Sequence, residues 1–236
     1  MGIQTSIVSI DAVDGTGAFN AYVAMPDSDT GPAVVVVQEI FGVNANMRSV
    51  ADWLAQEGFV AVVPDLFWRL EPGVELGYTE TDRAKAFDLM GRFDVTSGIA
   101  DIQSALTYAR ALPASSGKAG VIGYCLGGKM AYLSACHTDA QASVGYYGVG
   151  LEQLLDHAAQ IQHPVMLHIA EEDTYCPEPA REAILKGLQS NPQATCHVYA
   201  GVGHGFARKQ GDHYDAPAAE VANNRTLALL RDALAG

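Results

Sequence analysis

The sequence predicts a doubly wound, mostly parallel α/β sheet with an antiparallel hairpin at its N-terminus. Residues 3–10 and 17–25 alternate between apolar and polar side chains around a glycine-containing turn, as the two strands of a hairpin do. Residues 32–37 form a continuous run of mainly valine, the pattern of a strand covered on both faces. Strand-like and helix-like segments then alternate to the end of the chain, which is typical of parallel sheets.

Apolar spacing and helix start and stop signals place the remaining elements. Apolar residues at helical spacing precede Gly58, and prolines open the segment 177–190. The irregular stretch 66–80 is long enough to carry function. Further strands are predicted at 59–65, 118–124, 142–148, 163–170 and 194–200, and helices at 44–58, 81–93, 95–112, 126–137, 151–160, 177–190 and from Ala216 onward.

Composition and charge narrow the class of protein. The chain has 236 residues, 49% hydrophobic and 17% charged, with neither repeat nor linker, so we expect one globular domain over 1–236. The net charge of −13 disfavours nucleic acid and anionic membranes as partners. The first residues do not resemble a secretion signal, which favours the cytoplasm, and a monomer is the default expectation. The four cysteines lack metal-ligand spacing, so we expect no metal.

The stretch VIGYCLGGKMA carries the strongest chemical signal. Gly123, Cys125 and Gly127 form the pattern G-x-C-x-G between a predicted strand and a predicted helix, which is the nucleophile elbow G-x-S-x-G with cysteine in the serine position. The motif by itself is also compatible with a packed structural cysteine, but its position between a strand and a helix favours a nucleophile. The positive end of the following helix also favours a thiolate.

The expected oxyanion site consists of two backbone N–H groups. One belongs to Leu126, because an elbow directs the N–H after the nucleophile at the developing charge. The other lies in the loop after the strand 32–37, where the Ile40 N–H is the best candidate.

Asp173 and His204 complete a candidate catalytic triad. Each follows a later predicted strand, and ligands in such sheets bind at the carboxyl ends of strands. The chain order nucleophile, acid, histidine is that of α/β hydrolases. In this interpretation His204 takes the thiol proton and later activates water, and Asp173 orients the imidazole.

Three further charged residues have two interpretations each. Glu39 directly follows a buried strand, where a carboxylate is costly unless it is paired. It is either a local cap or ion pair, or it contacts the thiol of the resting protein. Arg83 and Arg208 either lie on a solvated face or grip a substrate carboxylate.

The other cysteines lack the elbow context. We expect Cys136 and Cys196 to be core or half-buried residues. Cys176 is near Asp173 in sequence and either lines the pocket or is incidental. His168 lies inside a predicted strand and is expected to be a core histidine.

The segments QEIFGVNANMR, VIGYCLGG, VGYYGVGLE and GHGFAR together resemble the dienelactone hydrolase family, over nearly the whole chain. The resemblance implies the α/β-hydrolase fold and a Cys-His-Asp triad that acts without a cofactor. It implies hydrolysis of the lactone ring of dienelactone (4-carboxymethylenebut-2-en-4-olide) to maleylacetate, in bacterial degradation of chlorinated aromatic compounds. It makes Cys125 the nucleophile, His204 the base and Asp173 its orienter, with Leu126 and Ile40 as oxyanion donors.

The resemblance also assigns roles to the three charged residues. Glu39 matches the family glutamate that interacts with the resting thiol and is displaced when substrate binds. Arg83 and Arg208 match the arginines that hold the substrate carboxylate.

Three pocket positions depart from the family pattern. Phe87, Met90 and Gly205 stand where the family is expected to have tyrosine, tryptophan and serine. The reaction type follows from the triad, but two hydroxyl donors that could orient a lactone are missing. The prediction is therefore a cysteine hydrolase for a small anionic lactone. A related carboxylesterase or lactonase with another substrate, and a catalytically silent ligand-binding protein, are the alternatives.

Overall fold

The computed structural model describes residues 2–27 and 30–235. The described strands are β1 (Ile3–Asp11), β2 (Ala18–Pro26), β3 (Gly31–Val37), β4 (Val60–Pro64), β5 (Ser115–Tyr124), β6 (Ser143–Tyr146), β7 (Val165–Ala170) and β8 (Ala194–Tyr199). The described α-helices are α1 (Ala45–Gln56), α2 (Glu80–Arg92), α3 (Val95–Ala111), α4 (Leu126–His137), α5 (Glu178–Leu188) and α6 (Ala216–Ala233). The sheet order is β1-β2-β4-β3-β5-β6-β7-β8, which confirms the predicted mostly parallel α/β sheet with its hairpin. None of these described helices is long and apolar enough to cross a membrane.

The chain divides into two compact units, one up to Val121 and the other from Ile122 to Ala235. In the first unit, β1 and β2 pair antiparallel along their full length, and β2 pairs antiparallel with β4. β3 pairs parallel with β4, and the five residues 33–37 are fully buried. The valine run is therefore covered on both faces, as its unbroken apolar pattern predicts.

A buried carboxylate anchors the irregular stretch 66–80 of the first unit. Asp101 on α3 is 1% exposed and accepts hydrogen bonds from Arg69 Nη2 at 2.7 Å and Arg69 Nε at 3.0 Å. It also accepts one from Trp68 Nε1 at 2.8 Å, and the Arg69 guanidinium lies over the Trp68 ring. Bidentate pairing satisfies both oxygens of the buried carboxylate. The stretch is thus fixed to a helix despite its irregular backbone.

In the second unit, β6, β7 and β8 pair parallel, and every residue of β6 and β7 is buried. The helix predicted over 151–160 is wrong, because the structure has two short 3₁₀ helices there, Leu151–Gln153 and Leu155–Gln160. Leu154 between them has φ −119° and ψ 8°, outside the helical region, so an i→i−4 ladder cannot continue through it.

His168 in the middle of β7 is a core histidine, as its position in a strand predicts, and it is 0% exposed. Its Nδ1 lies 2.8 Å from the Tyr199 hydroxyl and its Nε2 lies 2.9 Å from Thr226 Oγ1. Burial, together with the nearby His197 and Arg225, holds the pKa of His168 well below its usual range. The ring is therefore neutral in the folded protein at neutral pH.

Acid is expected to destabilise the fold through His168. Its pKa is lowered on folding, so its contribution to stability is present above about pH 6.5, the unfolded value, and is lost as the pH falls below that. One proton taken up on unfolding corresponds to a slope of about 1.4 kcal/mol per pH unit. Unfolding by urea across this range should show a smaller slope for a folded His168→Leu variant than for the wild type. Equal slopes would contradict the conclusion that His168 is neutral in the folded protein and takes up a proton on unfolding.

Candidate active site

The elbow at the start of the second unit has the geometry that the G-x-C-x-G pattern predicts. Cys125 lies between β5 and α4 with φ 56° and ψ −115°, a strained conformation for a residue with a side chain. A Cβ built on Gly123 would lie 1.8 Å from the Gly127 carbonyl oxygen. A Cβ on Gly128 would lie 2.6 Å from the Tyr146 carbonyl oxygen. Glycine is required at these positions because backbone occupies the space of any side chain.

Replacing Gly123 by alanine should open the elbow and destabilise the fold. Backbone must move to accommodate the methyl group, since a 1.8 Å contact cannot be relieved by a side-chain rotation. We expect a loss of about 3 kcal/mol or more in the free energy of unfolding, as for severe overpacking. Chemical denaturation measures it, with Gly91→Ala as control because a Cβ there meets no atom within 4 Å and the residue lies in the helix α2. If Gly123→Ala were as stable as that control, the backbone at Gly123 would have room for a side chain, which would contradict the requirement for glycine there.

Backbone hydrogen bonds fix the nucleophile candidate. The Cys125 N–H donates to the Tyr146 carbonyl at 3.0 Å, at the end of β6, and the Lys129 N–H donates to the Cys125 carbonyl at 3.2 Å. Cys125 is thus the N-cap of α4, and Leu126 is the first helical residue. The positive end of the helix dipole lies beside the sulfur and favours negative charge there.

Asp173 and His204 are brought together in the second unit. His204 Nδ1 donates to Asp173 Oδ2 at 2.8 Å, and the side chains are 9% and 1% exposed. The other carboxylate oxygen, Oδ1, accepts the Tyr175 N–H at 2.8 Å. Two hydrogen bonds therefore orient the carboxylate, and the carboxylate orients the imidazole with its proton on Nδ1.

His204 is also hydrogen-bonded to Cys125. Burial disfavours a charged imidazole. The hydrogen bonds to Asp173 and Cys125 and the Coulombic attraction of both groups outweigh burial and raise the pKa of His204 to about 10. The structure thus assembles the three predicted residues into one contiguous row, with histidine in the middle.

Two tyrosines that the sequence interpretation missed enclose His204. The Tyr147 ring meets it edge-on with centroids 5.0 Å apart, and the Tyr175 ring does so at 4.8 Å. Tyr147 is 1% exposed and has φ 37°, a rare conformation for a bulky residue. Each tyrosine follows a strand end, which is the signal that could have identified it. Together they restrict the rotation of the imidazole.

Gly205 and Arg208 lie directly after the histidine. Gly205 has φ 84°, and a Cβ built on it would approach Arg208 Nη2 to 3.3 Å. A serine here would adopt a left-handed backbone and press on the guanidinium. Glycine relieves both strains, which gives a physical reason for this departure from the expected family pattern. The structure places the Arg208 guanidinium next to the residue that follows His204.

In the first unit, the loop after β3 carries Glu39 and Ile40. Glu39 is 1% exposed, and Ile40 is also buried. Gly42 has φ 75°, and a Cβ there would lie 1.8 Å from the Val74 carbonyl oxygen. The Leu76 N–H donates to the Phe41 carbonyl at 2.9 Å. Close backbone pairing with the stretch 66–80 therefore fixes this loop.

Arg83, Phe87 and Met90 share one face of α2, since they are spaced by four and three residues. Arg83 Nε donates to the Tyr78 carbonyl at 3.1 Å. Phe87 is 48% exposed and Met90 is half-buried. This face presents a cation beside apolar surface, a combination suited to a small anionic ligand with an apolar body.

The other three thiols are poor nucleophiles. Cys136 and Cys176 are buried and Cys196 is half-buried, which confirms the expectation for the first and the last. Burial raises the pKa of each of the three thiols to about 11. They remain protonated at neutral pH, and reactivity requires the thiolate. Cys125 is the one of the four that lies at an elbow with a histidine partner.

A strand, an elbow and a helix, followed by an acid and a histidine after later strands, define an α/β hydrolase. The comparisons agree. Carboxymethylenebutenolidase of Pseudomonas putida is 42% identical over 227 residues, covering 96% of each chain. Carboxymethylenebutenolidase 1 of Cupriavidus pinatubonensis is 42% identical, covering 91% of this chain and 92% of its own.

Solved structures share the fold. A crystal structure from Klebsiella pneumoniae matches with a TM-score of 0.85 and 28% identity, over 97% of this chain and 98% of the other. The dienelactone hydrolase of Anabaena variabilis matches with a TM-score of 0.73 over 99% and 100%, and at 17% identity it shows the fold alone. The model of the dienelactone hydrolase family matches residues 19–234. The chain belongs to that family, which confirms the resemblance in its sequence motifs.

Proposed function

We propose that the protein is a cysteine hydrolase that opens the lactone ring of dienelactone to give maleylacetate. The observation that carries the proposal is the row Cys125–His204–Asp173, with the histidine hydrogen-bonded to both neighbours. Membership of the dienelactone hydrolase family supports the substrate class. The 42% identical relatives named carboxymethylenebutenolidase support it further.

In the proposed acylation step, Cys125 sulfur attacks the lactone carbonyl after His204 has taken its proton. The high pKa of His204 supports this, since the imidazole retains a proton easily. The carbonyl oxygen becomes an oxyanion, held by the N–H of Leu126 and the N–H of Ile40. The carbon–sulfur bond forms, the ring carbon–oxygen bond breaks, and the departing enolate oxygen takes the proton from the His204 imidazolium to become an enol. The ring-opened acyl group stays attached as a thioester.

In the proposed deacylation step, His204 takes a proton from water and the hydroxide attacks the thioester. The carbon–sulfur bond breaks, and the thiolate regains the proton from the imidazolium. The released enol becomes the keto acid maleylacetate by moving its proton to carbon. An enolate is a good leaving group. A thiolate nucleophile suits it because thiolates attack activated esters well but expel basic alkoxides poorly.

Further roles are proposed for the charged residues. Arg83 and Arg208 hold the carboxylate of the substrate, because guanidinium groups pair with carboxylates in a bidentate geometry. Glu39 contacts the thiol in the resting enzyme and is displaced on binding. Its burial supports a role in the site, since a buried carboxylate needs specific partners.

Phe87, Met90 and Gly205 shape the substrate pocket in this proposal. They favour a second candidate, a related carboxylesterase or lactonase for another anionic ester. Lost hydroxyl donors change substrate choice more than reaction type. Met90 is also more pliable than an indole and admits other shapes.

Specificity constants distinguish the two candidates. We expect kcat/KM for cis- or trans-dienelactone, followed by loss of ultraviolet absorbance, to exceed that for neutral aryl acetates by at least about tenfold. A wide margin in favour of aryl acetates would reject the lactonase and leave the esterase. Absence of turnover with every ester and lactone, in a folded protein, would favour the silent ligand-binding alternative.

A further inference from the structure

A chain of hydrogen bonds runs through the core of the second unit. It joins β6, β7, β8 and α6, and its centre is His168. The contacts are Arg225 Nη1 to Tyr199 Oη (3.2 Å), Tyr199 Oη with His168 Nδ1 (2.8 Å), His168 Nε2 with Thr226 Oγ1 (2.9 Å), Thr226 Oγ1 with Tyr146 Oη (2.6 Å), and Tyr146 Oη to Asn223 Oδ1 (3.0 Å).

The two ends of this chain determine the position of every proton in it. Asn223 Oδ1 only accepts, so the Tyr146 hydroxyl donates to it and must accept from Thr226. Thr226 has then used its one proton and accepts from His168 Nε2–H. The free lone pair of His168 Nδ1 accepts from Tyr199, whose hydroxyl accepts in turn from Arg225.

Only a neutral His168 fits this arrangement. A proton on Nδ1 would face the proton of the Tyr199 hydroxyl, and that oxygen already accepts from the Arg225 guanidinium. His197 stacks on the His168 ring with centroids 5.9 Å apart and is a second group that disfavours a cation there. The ring therefore acts as a fixed donor and acceptor, connecting one side of the core to the other.

The same histidine holds the segment that supports the reactive groups. Its backbone carbonyl accepts the Tyr147 N–H at 2.7 Å, while its side chain reaches the Tyr146 hydroxyl through Thr226. The Tyr146 carbonyl accepts the Cys125 N–H, and the Tyr147 ring packs edge-on against His204. His168 thus holds the dipeptide Tyr146–Tyr147 through its backbone carbonyl and through Thr226. The same dipeptide contacts both the elbow at Cys125 and the His204 imidazole.

We propose that His168 is a positioning residue, which uses Thr226 and Tyr199 to fix the Tyr146–Tyr147 segment and thereby the alignment of Cys125 with His204. The proposal rests on the proposed function only in that the aligned pair performs the hydrolysis. A misplacement of about 1 Å at a reacting pair can cost up to about 10²-fold in rate. The network therefore influences the rate without touching the substrate.

Thr226→Val is the first test, because valine keeps the shape of threonine and removes the hydroxyl that links His168 to Tyr146. We expect kcat to fall about tenfold with KM within about twofold, since alignment and not binding is lost. Histidine NMR should also show the pKa of His204 falling from about 10, because its hydrogen bonds to Cys125 and Asp173 loosen. Thr226→Ser, which keeps the hydroxyl, should restore both values.

Tyr132→Phe is the matched control for a general loss of stability. It removes a buried tyrosine hydroxyl of the same unit, which donates to the Leu154 carbonyl at 3.2 Å. This hydroxyl is not part of the hydrogen bonds that surround His168. Its kcat and its His204 pKa should equal those of the wild type at temperatures where both proteins are folded. Tyr199→Phe removes a hydroxyl that is hydrogen-bonded to His168 and should reproduce the Thr226→Val changes. It replaces Thr226→Val in the test if that variant does not fold.

A folded Thr226→Val protein with wild-type kcat and wild-type His204 pKa would overturn the proposal. Equal losses in Tyr132→Phe would also overturn it, because they would show a purely structural effect. If the wild type does not hydrolyse dienelactone, the proposed function fails. The NMR measurement needs no substrate, so it still decides whether the hydrogen bonds of His168 position His204.

Discussion

Replacement of Cys125 by alanine is expected to lower kcat for lactone hydrolysis by at least about 10⁴-fold. Members of a catalytic triad act as a unit, so removal of the nucleophile leaves only binding and the oxyanion donors. Alanine fits the elbow because it is smaller than cysteine at the same strained backbone position. The loss of dienelactone absorbance gives the rate, and circular dichroism checks that the variant is folded.

Cys136→Ala is the control for that experiment. Cys136 is buried on α4, and burial raises the pKa of its thiol to about 11, so we expect it to take no part in the reaction. Its variant should retain the wild-type kcat at neutral pH. Wild-type activity in Cys125→Ala would refute the cysteine mechanism outright.

Asp173→Asn is expected to lower kcat about 10⁴-fold while the fold persists. The carboxylate accepts the His204 Nδ1 proton at 2.8 Å, which leaves Nε2 as the basic nitrogen. An amide in its place stabilises the wrong tautomer and no longer stabilises an imidazolium. Steady-state kinetics with dienelactone measure the loss, and histidine NMR should show the pKa of His204 falling from about 10.

The neighbouring Glu172 provides a control for the loss of one negative charge. Its side chain is exposed and precedes Asp173 in the same loop. Glu172→Gln should therefore keep kcat within about twofold of the wild type, as surface substitutions usually have small effects. Asp173→Asn with activity similar to Glu172→Gln would show that the Asp173–His204 contact has no catalytic role.

Most of the fold could be predicted because its strands have strong local patterns. The valine run of β3 and the alternating β1 and β2 differ from their predicted bounds by about one residue. The region 151–160 could not be predicted, because leucines at helical spacing are equally compatible with two 3₁₀ turns. The break there depends on the backbone angles of Leu154, which no residue type signals.

The candidate triad was accessible from sequence because each member follows a strand and one sits between glycines. The positions of Tyr147 and Tyr175 after strands were also accessible, but their enclosure of His204 was not, because it depends on the positive φ of Tyr147 and on ring packing. A tyrosine is an unusual choice for that conformation, so its residue type gave no warning. The hydrogen bonds of His168 were equally hidden, since they join four elements distant in sequence.

The covalent thioester is the central claim, and the mass of the protein during the first turnover tests it most directly. Wild-type enzyme mixed with dienelactone and quenched in acid should carry an adduct with the full mass of one substrate molecule, because ring opening releases no fragment. Peptide mapping should place the adduct on Cys125, and Cys125→Ala should carry none. The same adduct on a peptide without Cys125, or formed equally in Cys125→Ala, would contradict the account.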